Sequence, residues 1–485
     1  MLWRLRGIPS VLLPDSHRCC RWTALRARNT ATSADPHLVA VVGGGAAGVF
    51  AAIRAKQVAG DRCRVMVFEA GPEMLPKVRI SGGGRCNAQQ DPQKTISDIA
   101  KGYPRGSREL LGPLHRFSPA DTHQWFTDRG VSLKTEADGR VFPTTDKSET
   151  IISCLLSAAR QQKVELYTKH KVTNMERSEE DGQWSIAVKR SSSSDLQVAP
   201  SSLLVACGSS RPLWSVVEGL GHHVIPPVPS LFTLRLAKDD AETSLLEQCA
   251  GISMQSVRMR LDVVSHREGG GRRGKSGGGS VKLVDEGPML ITQGPGLSGP
   301  VTLRLSAFAA RHLHESAYEC AVTINWTGGA FKSGDQVLPQ LMVAKDELTM
   351  KALGTFCPLQ NVPIPRRLWR VLLEVSDIPP TMRWADVSKA KLRGLAERLV
   401  AHRMRVVGKG AFKEEFTTSG GIRCRDINWK TMESKILPNL YFAGEFVDVD
   451  GITGGYNLQS AWTTGWIAGE AIGRTALMHS SDDRQ

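Results

Sequence analysis

Apolar and polar positions along the chain change period several times, and each change marks an element. Leu38 to Val42 is a short apolar run, followed by three glycines and an alanine-rich stretch that ends near Gly60. A run of that length bounded by glycine predicts a buried strand, and the stretch after it predicts a helix. "CRVMVFE" (Cys63 to Glu69) predicts a second buried strand, so the segment reads as a βαβ unit of a parallel sheet. Strands are also predicted at Gly139–Pro143, Lys163–Met175 and Trp184–Arg190, and in "SSLLVACGSSRP" (Ser201 to Pro212), which ends in a glycine turn. Apolar residues at helical spacing predict a helix over Glu149–Gln162.

Pro226, Pro227 and Pro229 predict a boundary, because closely spaced prolines stop helices and central strands. Beyond them the pattern alternates with period two to about Ala344, broken by the loose loop Arg267 to Ser280. From Lys345 to about Val407 it turns helical, for instance over Val387–Met404, and Leu440–Gly473 returns to strand, glycine loop and helix. The predicted organisation is a leader (1–36), an α/β domain split into 37–228 and 408–475, an inserted β-rich domain (229–344), a small helical insert (345–407) and a tail (476–485).

Charge changes the picture at the amino end. Of the net +14, five come from residues 1–34, where six Arg stand against Asp15 as the sole acid. An Arg-rich, acid-poor leader with Ser and Thr near its close has the composition of an organelle transit peptide, mitochondrial ahead of plastid. The remaining excess shows no basic face interleaved with aromatics, so no nucleic-acid partner is expected. No stretch has the ~18 uninterrupted apolar residues of a membrane span. Ten cysteines contain no C-x-x-C pair, and no histidine sits at metal-ligand spacing, so neither a zinc site nor a dithiol redox centre is predicted.

Three glycine motifs compete for a nucleotide. Gly43-Gly44-Gly45-Ala46-Ala47-Gly48 fits G-x-G-x-x-G between a strand and a helix. There Gly43 makes the turn, Gly45 admits a pyrophosphate, Gly48 packs helix on strand, and the helix amino end faces the anion. Glu69 ends the next strand 21 residues past Gly48, placed to accept from a ribose and to disfavour a 2′-phosphate. Gly294 to Gly299 matches the same pattern but carries Pro295 and is followed by Pro300, which removes N–H donors. Gly269 to Ser276 fits the P-loop pattern, yet Gly277, Gly278 and Gly279 follow instead of a helix, so ATP binding is not predicted.

The carboxyl end asks for more than a nicotinamide dinucleotide. Acids Glu445, Asp448 and Asp450 follow a strand, and Gly454-Gly455 then precedes an apolar helix. An acid for ribityl hydroxyls and a helix amino end beside a reducible ring are what a flavin needs. The expected cofactor is therefore FAD.

The motifs "VVGGGAAG", "KVRISGGGRCN", "GRVFP", "LSGP", "TTSGGI", "TMESK" and "GEFVDVDGITGGYNLQSAW" resemble those of the aminoacetone oxidase-like, bile-acid-inducible N type family of FAD flavoproteins, over about residues 37 to 475. The resemblance implies a Rossmann-like FAD domain with an inserted β-barrel and a small helical region. It implies that Gly45, Ala46, Ala47, Glu69 and Lys77 line the adenosine and pyrophosphate, Val172 the adenine, and Glu445, Asp448, Asn457 and Leu458 the ribityl chain and ring. This chain departs from the family at Leu75-Pro76, where Gly-Arg is usual, and at Gln89-Gln90, where Thr-Asn is usual.

"RISGGGRCN" (Arg79 to Asn87) supplies the remaining candidates. Its glycines, Gly83 among them, read as backbone approaching the flavin, with Arg85, Cys86 and Asn87 at the edge of a substrate chamber. Arg85 is an anion holder or a structural ion pair; Cys86 is a reactive thiol or a packing residue; Asn87 closes the turn. Tyr456 is a proton donor or packs on the flavin. His222 and His223 read as a helix-to-strand turn. The expected activity is an FAD-dependent oxidoreductase moving hydride through flavin N5, with NAD(P)H as a transient donor. Its substrate is a small molecule, a conjugated enone to reduce or a small amine to oxidise. An RNA-binding flavoprotein and a flavin sensor without turnover are the rival readings.

Overall fold

The computed structural model describes residues 36–191, 194–238, 241–264, 280–410 and 417–482. The predicted leader, the P-loop-like stretch and most of the loop from Arg267 lie outside the described residues.

The βαβ unit forms as its pattern dictates. Strand His37–Val42 runs into helix Ala46–Ala59 and then strand Cys63–Phe68, the two strands parallel and paired from His37↔Cys63 to Val42↔Phe68. Their sheet has seven strands. Five are parallel, in the spatial order Leu440–Phe442, Ser202–Val205, His37–Val42, Cys63–Phe68 and Glu165–Tyr167. The strand from the carboxyl end thus joins strands laid down more than 200 residues earlier, which makes one sheet from two chain segments.

Helix Tyr456–Asp482 lies against Ala46–Ala59, and small residues set how closely. A Cβ at Gly465 would fall 2.6 Å from the Ala47 carbonyl oxygen, and one at Gly469 would fall 2.3 Å from that of Ala51. Spaced four apart, they form one stripe along which the two backbones touch. This helix runs to Asp482, beyond the end expected near 475.

A second core lies in the insert. Six strands close a barrel in the order Leu234–Leu236, Gly296–Ser298, Ser280–Thr292, Ser253–Val264, Glu319–Asn325 and His402–Lys409. Helix Pro300–Glu315 packs on it, and helices Gly334–Glu347, Arg366–Val375 and Lys389–Ala401 bury Trp369 and Trp384 beside it. The fold class is the expected one, a Rossmann-like FAD-binding α/β domain, split in sequence, with a barrel and a helical region inserted.

Three elements differ from the pattern. The helix expected over Val387–Met404 stops at Ala401, and His402–Lys409 becomes the strand that closes the barrel. Its alternation of buried and exposed residues is that of a strand with one wet face. Prolines 226, 227 and 229 sit inside strand Val224–Ser230 rather than ending it. Among the described residues that strand pairs only with Thr417–Ile422, with a register shift between Ile225 and Val228, and an edge position tolerates the missing donors. The single strand expected over Lys163–Met175 is two, broken at Lys169, whose φ is +58°; Glu165–Tyr167 joins the main sheet and His170–Arg177 another. No helix among the described residues is long and apolar enough to cross a membrane.

Candidate functional site

The carboxyl ends of the parallel strands open onto a cavity of about 460 Å³. Ligands in open α/β sheets bind at these strand ends. Gly43, Gly45, Ala46 and Ala47 form one wall. Gly43 has φ +110°, and a Cβ there would lie 2.5 Å from the Ala206 carbonyl oxygen, so the turn requires glycine. Gly45 precedes the helix in extended conformation with no side chain capping it, while Val49 N–H makes the first helical bond back to Gly45. The N–H groups before it have no partner within the helix and point from its positive end. A Cβ at Gly45 would meet nothing within 4 Å, so the space in front of these donors is open.

Gly48 does not line this cavity; a Cβ there would lie 2.0 Å from the Gly43 carbonyl oxygen, so it holds the helix to the turn. Glu69 lines the cavity beside Val172, its carboxylate accepting from Gly44 N–H at 2.9 Å and Gly71 N–H at 2.7 Å. Farther along, Lys77 and Glu445 share the wall as an ion pair of 2.6 Å, and Glu445 also accepts from Thr418 N–H at 2.9 Å. Asn457 and Leu458, in the first turn of helix Tyr456–Asp482, line it too. The donor set fits FAD: a carboxylate for ribose, an uncapped helix end for pyrophosphate, and a second acid and helix end farther along.

Two of the expected contacts lie elsewhere. Asp448 is outside the cavity wall and pairs with Arg311 at 2.5 Å, although its neighbour Val449 lines the wall. Gly83 is exposed, with φ +69° and no lining contact. Residues the pattern did not single out also line the wall: Ser81, Cys207, Gly208, Ser210 and Thr417. Cys207 and Gly208 follow the strand Ser202–Val205, so the strand-end rule applied to its glycine turn was the available signal.

The segment Arg85–Gln90 turns away from the cavity and props the loop that starts the last helix. Cys86 is fully buried at φ +59°, and burial pushes its thiol up to about 12. Asn87, with its amide oriented to satisfy both neighbours, accepts from Gly455 N–H at 3.1 Å and donates to the Gln89 carbonyl at 3.2 Å. Gln90 donates to the Gly454 carbonyl at 2.6 Å, and Trp462 Nε1 donates to the Ala88 carbonyl at 3.0 Å. The departure at Gln89-Gln90 therefore falls in this prop. Arg85 bonds Glu136 at 2.6 Å and Asp146 at 2.7 Å, and covers the Phe142 ring at 3.9 Å. These two carboxylates, Glu136 foremost, raise its pKa further.

Tyr456 opens the last helix almost fully buried, its ring edge-on to Tyr103 at 5.5 Å, and burial raises its pKa. Next to it Asp450, fully buried, takes a two-pronged bond from Arg105 and another from Ser230 at 2.9 Å. Burial pushes the Asp450 carboxyl up while Arg105 pulls it back. Arg105 also donates to the Ala307 carbonyl at 2.5 Å, so it ties this loop to the helix on the barrel. His222 is buried between helix Arg211–Gly219 and strand Val224–Ser230, its Nε2 2.7 Å from Ser434 Oγ. Among the described residues no group of His, Cys, Asp and Glu is placed to hold a metal ion.

A family model described as the HI0933-like protein Rossmann domain matches residues 37–471. The chain belongs to the HI0933-like family. The family binds FAD, and this member is an FAD-dependent oxidoreductase. Its sequence is 26% identical over 451 residues to the 3-dehydro-bile acid delta(4,6)-reductase of Clostridium scindens, covering 89% of this chain and 98% of that protein. It is 25% identical over 444 residues to the ribosomal RNA dihydrouridine synthase of Escherichia coli, covering 89% and 97%. Among solved structures, the 3-ketosteroid-delta4-(5alpha)-dehydrogenase of Rhodococcus jostii RHA1 aligns with a TM-score of 0.46 at 14% identity, over 92% of this chain and 98% of that one.

Proposed function

We propose that this HI0933-like flavoprotein saturates a carbon–carbon double bond conjugated to a carbonyl. The observation that carries the reading is that the two kinds of relative named above, unlike in substrate, are both named for hydrogen addition across such a bond. The amine-oxidase direction finds no counterpart in either name.

When bound, FAD supplies hydride to the electron-poor carbon of the double bond. The chain's own residues do the rest. The uncapped end of helix Ala46–Ala59 takes the pyrophosphate, and Glu69 takes the adenosine ribose. Glu445, held by Lys77 and Thr418 N–H, takes the ribityl hydroxyls, and the end of the last helix at Asn457 and Leu458 favours negative charge on the ring. Tyr456, itself outside the cavity wall but one residue before Asn457, which lines it, is the proposed proton donor to the carbon that hydride does not reach. Asn87 and Gln90 position the Gly454-Gly455 loop, Arg85 is held by Glu136 and Asp146, and Cys86 is buried, so Arg85, Cys86 and Asn87 are not assigned to the substrate. The electrons come from NAD(P)H, docking transiently because the chain has a single credible dinucleotide turn. The Arg-rich leader directs import into an organelle, mitochondrial first.

Mixing the purified protein with NADPH or NADH without air tests the reading. Bleaching of the flavin absorbance, followed by its return on adding a cyclic enone, is the expected result. Bleaching by small amines and not by NAD(P)H would make the enzyme an oxidase instead. Tyr456→Phe is expected to slow the enone-dependent return ~100-fold while leaving the bleaching step unchanged. A second substrate, uridine within RNA, is favoured by the dihydrouridine synthase relatives of Escherichia coli and Haemophilus influenzae.

A further inference from the structure

We propose that Arg105 is a positioning residue that sets the reduction potential of the bound flavin, by fixing the start of the last helix at the cavity wall. Helix Tyr456–Asp482 presents Asn457 and Leu458 to that wall. Gln459 N–H bonds the Gly455 carbonyl at 2.9 Å, so the N–H groups of Asn457 and Leu458, which come before it, have no acceptor within the helix. Donors held at the wall of a flavin cavity stabilise the negative charge that reduction adds, and a loosely held donor does so less.

A closed circuit of contacts holds this helix start. Asn457 Oδ1 accepts from Gly451 N–H at 2.8 Å, and its Nδ2 donates to the Gly451 carbonyl at 3.0 Å and to Thr417 Oγ1 at 3.3 Å. A Cβ at Gly451 would fall 2.5 Å from that of Tyr456, so the loop is pressed against the helix. Asp450, the next residue back, anchors the loop: Arg105 Nε donates to its Oδ1 at 2.6 Å and Nη2 to its Oδ2, which also accepts from Ser230 Oγ at 2.9 Å. Ser230 stands opposite Thr417 in strand register, and Thr417 leads back to Asn457. The remaining nitrogen of Arg105, Nη1, donates to the Ala307 carbonyl at 2.5 Å, so the guanidinium that holds the loop also seats the barrel helix.

Stability alone does not account for such a pair. The Arg105 side chain is 12% exposed and that of Asp450 0%. A buried ion pair gives little net stability over apolar residues of the same volume, because both charges lose their water. What apolar residues do not supply is direction. The planar fork of an arginine fixes a carboxylate in two places while a further N–H addresses another element. Arg105, Asp450 and Ser230 all lie outside the cavity wall, so their effect on the flavin passes through Asn457 and the helix start.

The test reads the flavin itself, so it does not depend on which double bond the enzyme reduces. The flavin-loaded full chain is reduced slowly without air beside a reference dye, and the two absorbances give the midpoint potential of the bound flavin. Arg105→Leu/Asp450→Asn removes a neutral pair and leaves the net charge unchanged. It is expected to shift the balance about tenfold towards oxidised flavin, a fall of ~30 mV for the two-electron couple. Arg105→Lys keeps the charge and loses the fork, and its potential should fall as well. Ser230→Ala leaves the ion pair in place and should shift the balance about threefold in the same direction. If the double variant does not fold, these two single variants decide. A lower urea midpoint or lower FAD occupancy with the parent's potential in the flavin that remains would overturn the role and leave a structural ion pair. A parent potential in Arg105→Lys would assign the effect to charge and overturn the positioning, and a rise in potential in any of the variants would overturn it too.

Discussion

Lys77 and Glu445 are 368 positions apart in the sequence and 2.6 Å apart in the fold, Nζ to Oε2. Lys77 comes from the short helix Pro76–Ile80 that follows the first βαβ unit, and Glu445 from the turn after the last strand of the sheet. Their contact joins the two sequence segments of the FAD domain at the cavity wall.

Because Glu445 also holds Thr418 N–H, its removal should cost cofactor more than fold. Glu445→Ala is expected to weaken FAD retention about tenfold, and Lys77→Met to do so less, since the lysine is the more exposed partner. The ratio of flavin to protein absorbance after dialysis measures this.

Gly45 and Gly48 look alike in the motif and should behave oppositely. A methyl at Gly45 meets open space where the pyrophosphate would lie, so Gly45→Ala should leave the apoprotein within about 0.5 kcal/mol of the parent while weakening FAD at least tenfold. A methyl at Gly48 strikes the Gly43 carbonyl, so Gly48→Ala should destabilise the apoprotein itself by about 1–3 kcal/mol. Urea midpoints of the apo forms, set beside FAD titrations, separate the two.

Cys86 is buried, its thiol raised to about 12, which leaves almost no thiolate at neutral pH. Peptide mapping after brief maleimide treatment of the native enzyme should find residue 86 unmodified, and fully modified after denaturation. Cys86→Ser should keep its FAD and its turnover. Loss of turnover with FAD retained would restore a chemical role.

Asp450 is the counter-charge of Arg105 in a place water does not reach. Asp450→Asn leaves that arginine unpaired and is expected to destabilise the fold by about 3–5 kcal/mol. Asp450→Asn combined with Arg105→Leu should recover part of the loss, because the stranded charge is gone. Denaturant midpoints of the three variants check both statements.

What was legible in the sequence was what short spacing encodes. The glycine turn, Glu69 and the acids before the last helix each express local geometry within a strand, turn and helix, and the cavity wall contains most of them. The same locality misled at Pro226 to Pro229, where the spacing of prolines says nothing about whether a strand lies at an edge. It misled again at His402, where a helical stretch runs directly into a strand that the barrel needs for closure.

Tertiary structure alone decided where "RISGGGRCN" points. Its composition matched a chamber wall, but Asn87 and Gln90 find their partners at Gly455 and Gly454, more than 360 residues on, and the turn becomes a prop. It also decided that Arg260 stands level with Arg403 across Thr323, though 143 positions separate them. Sheet register is fixed by which apolar faces bury together across distant strands, and no local pattern carries that information.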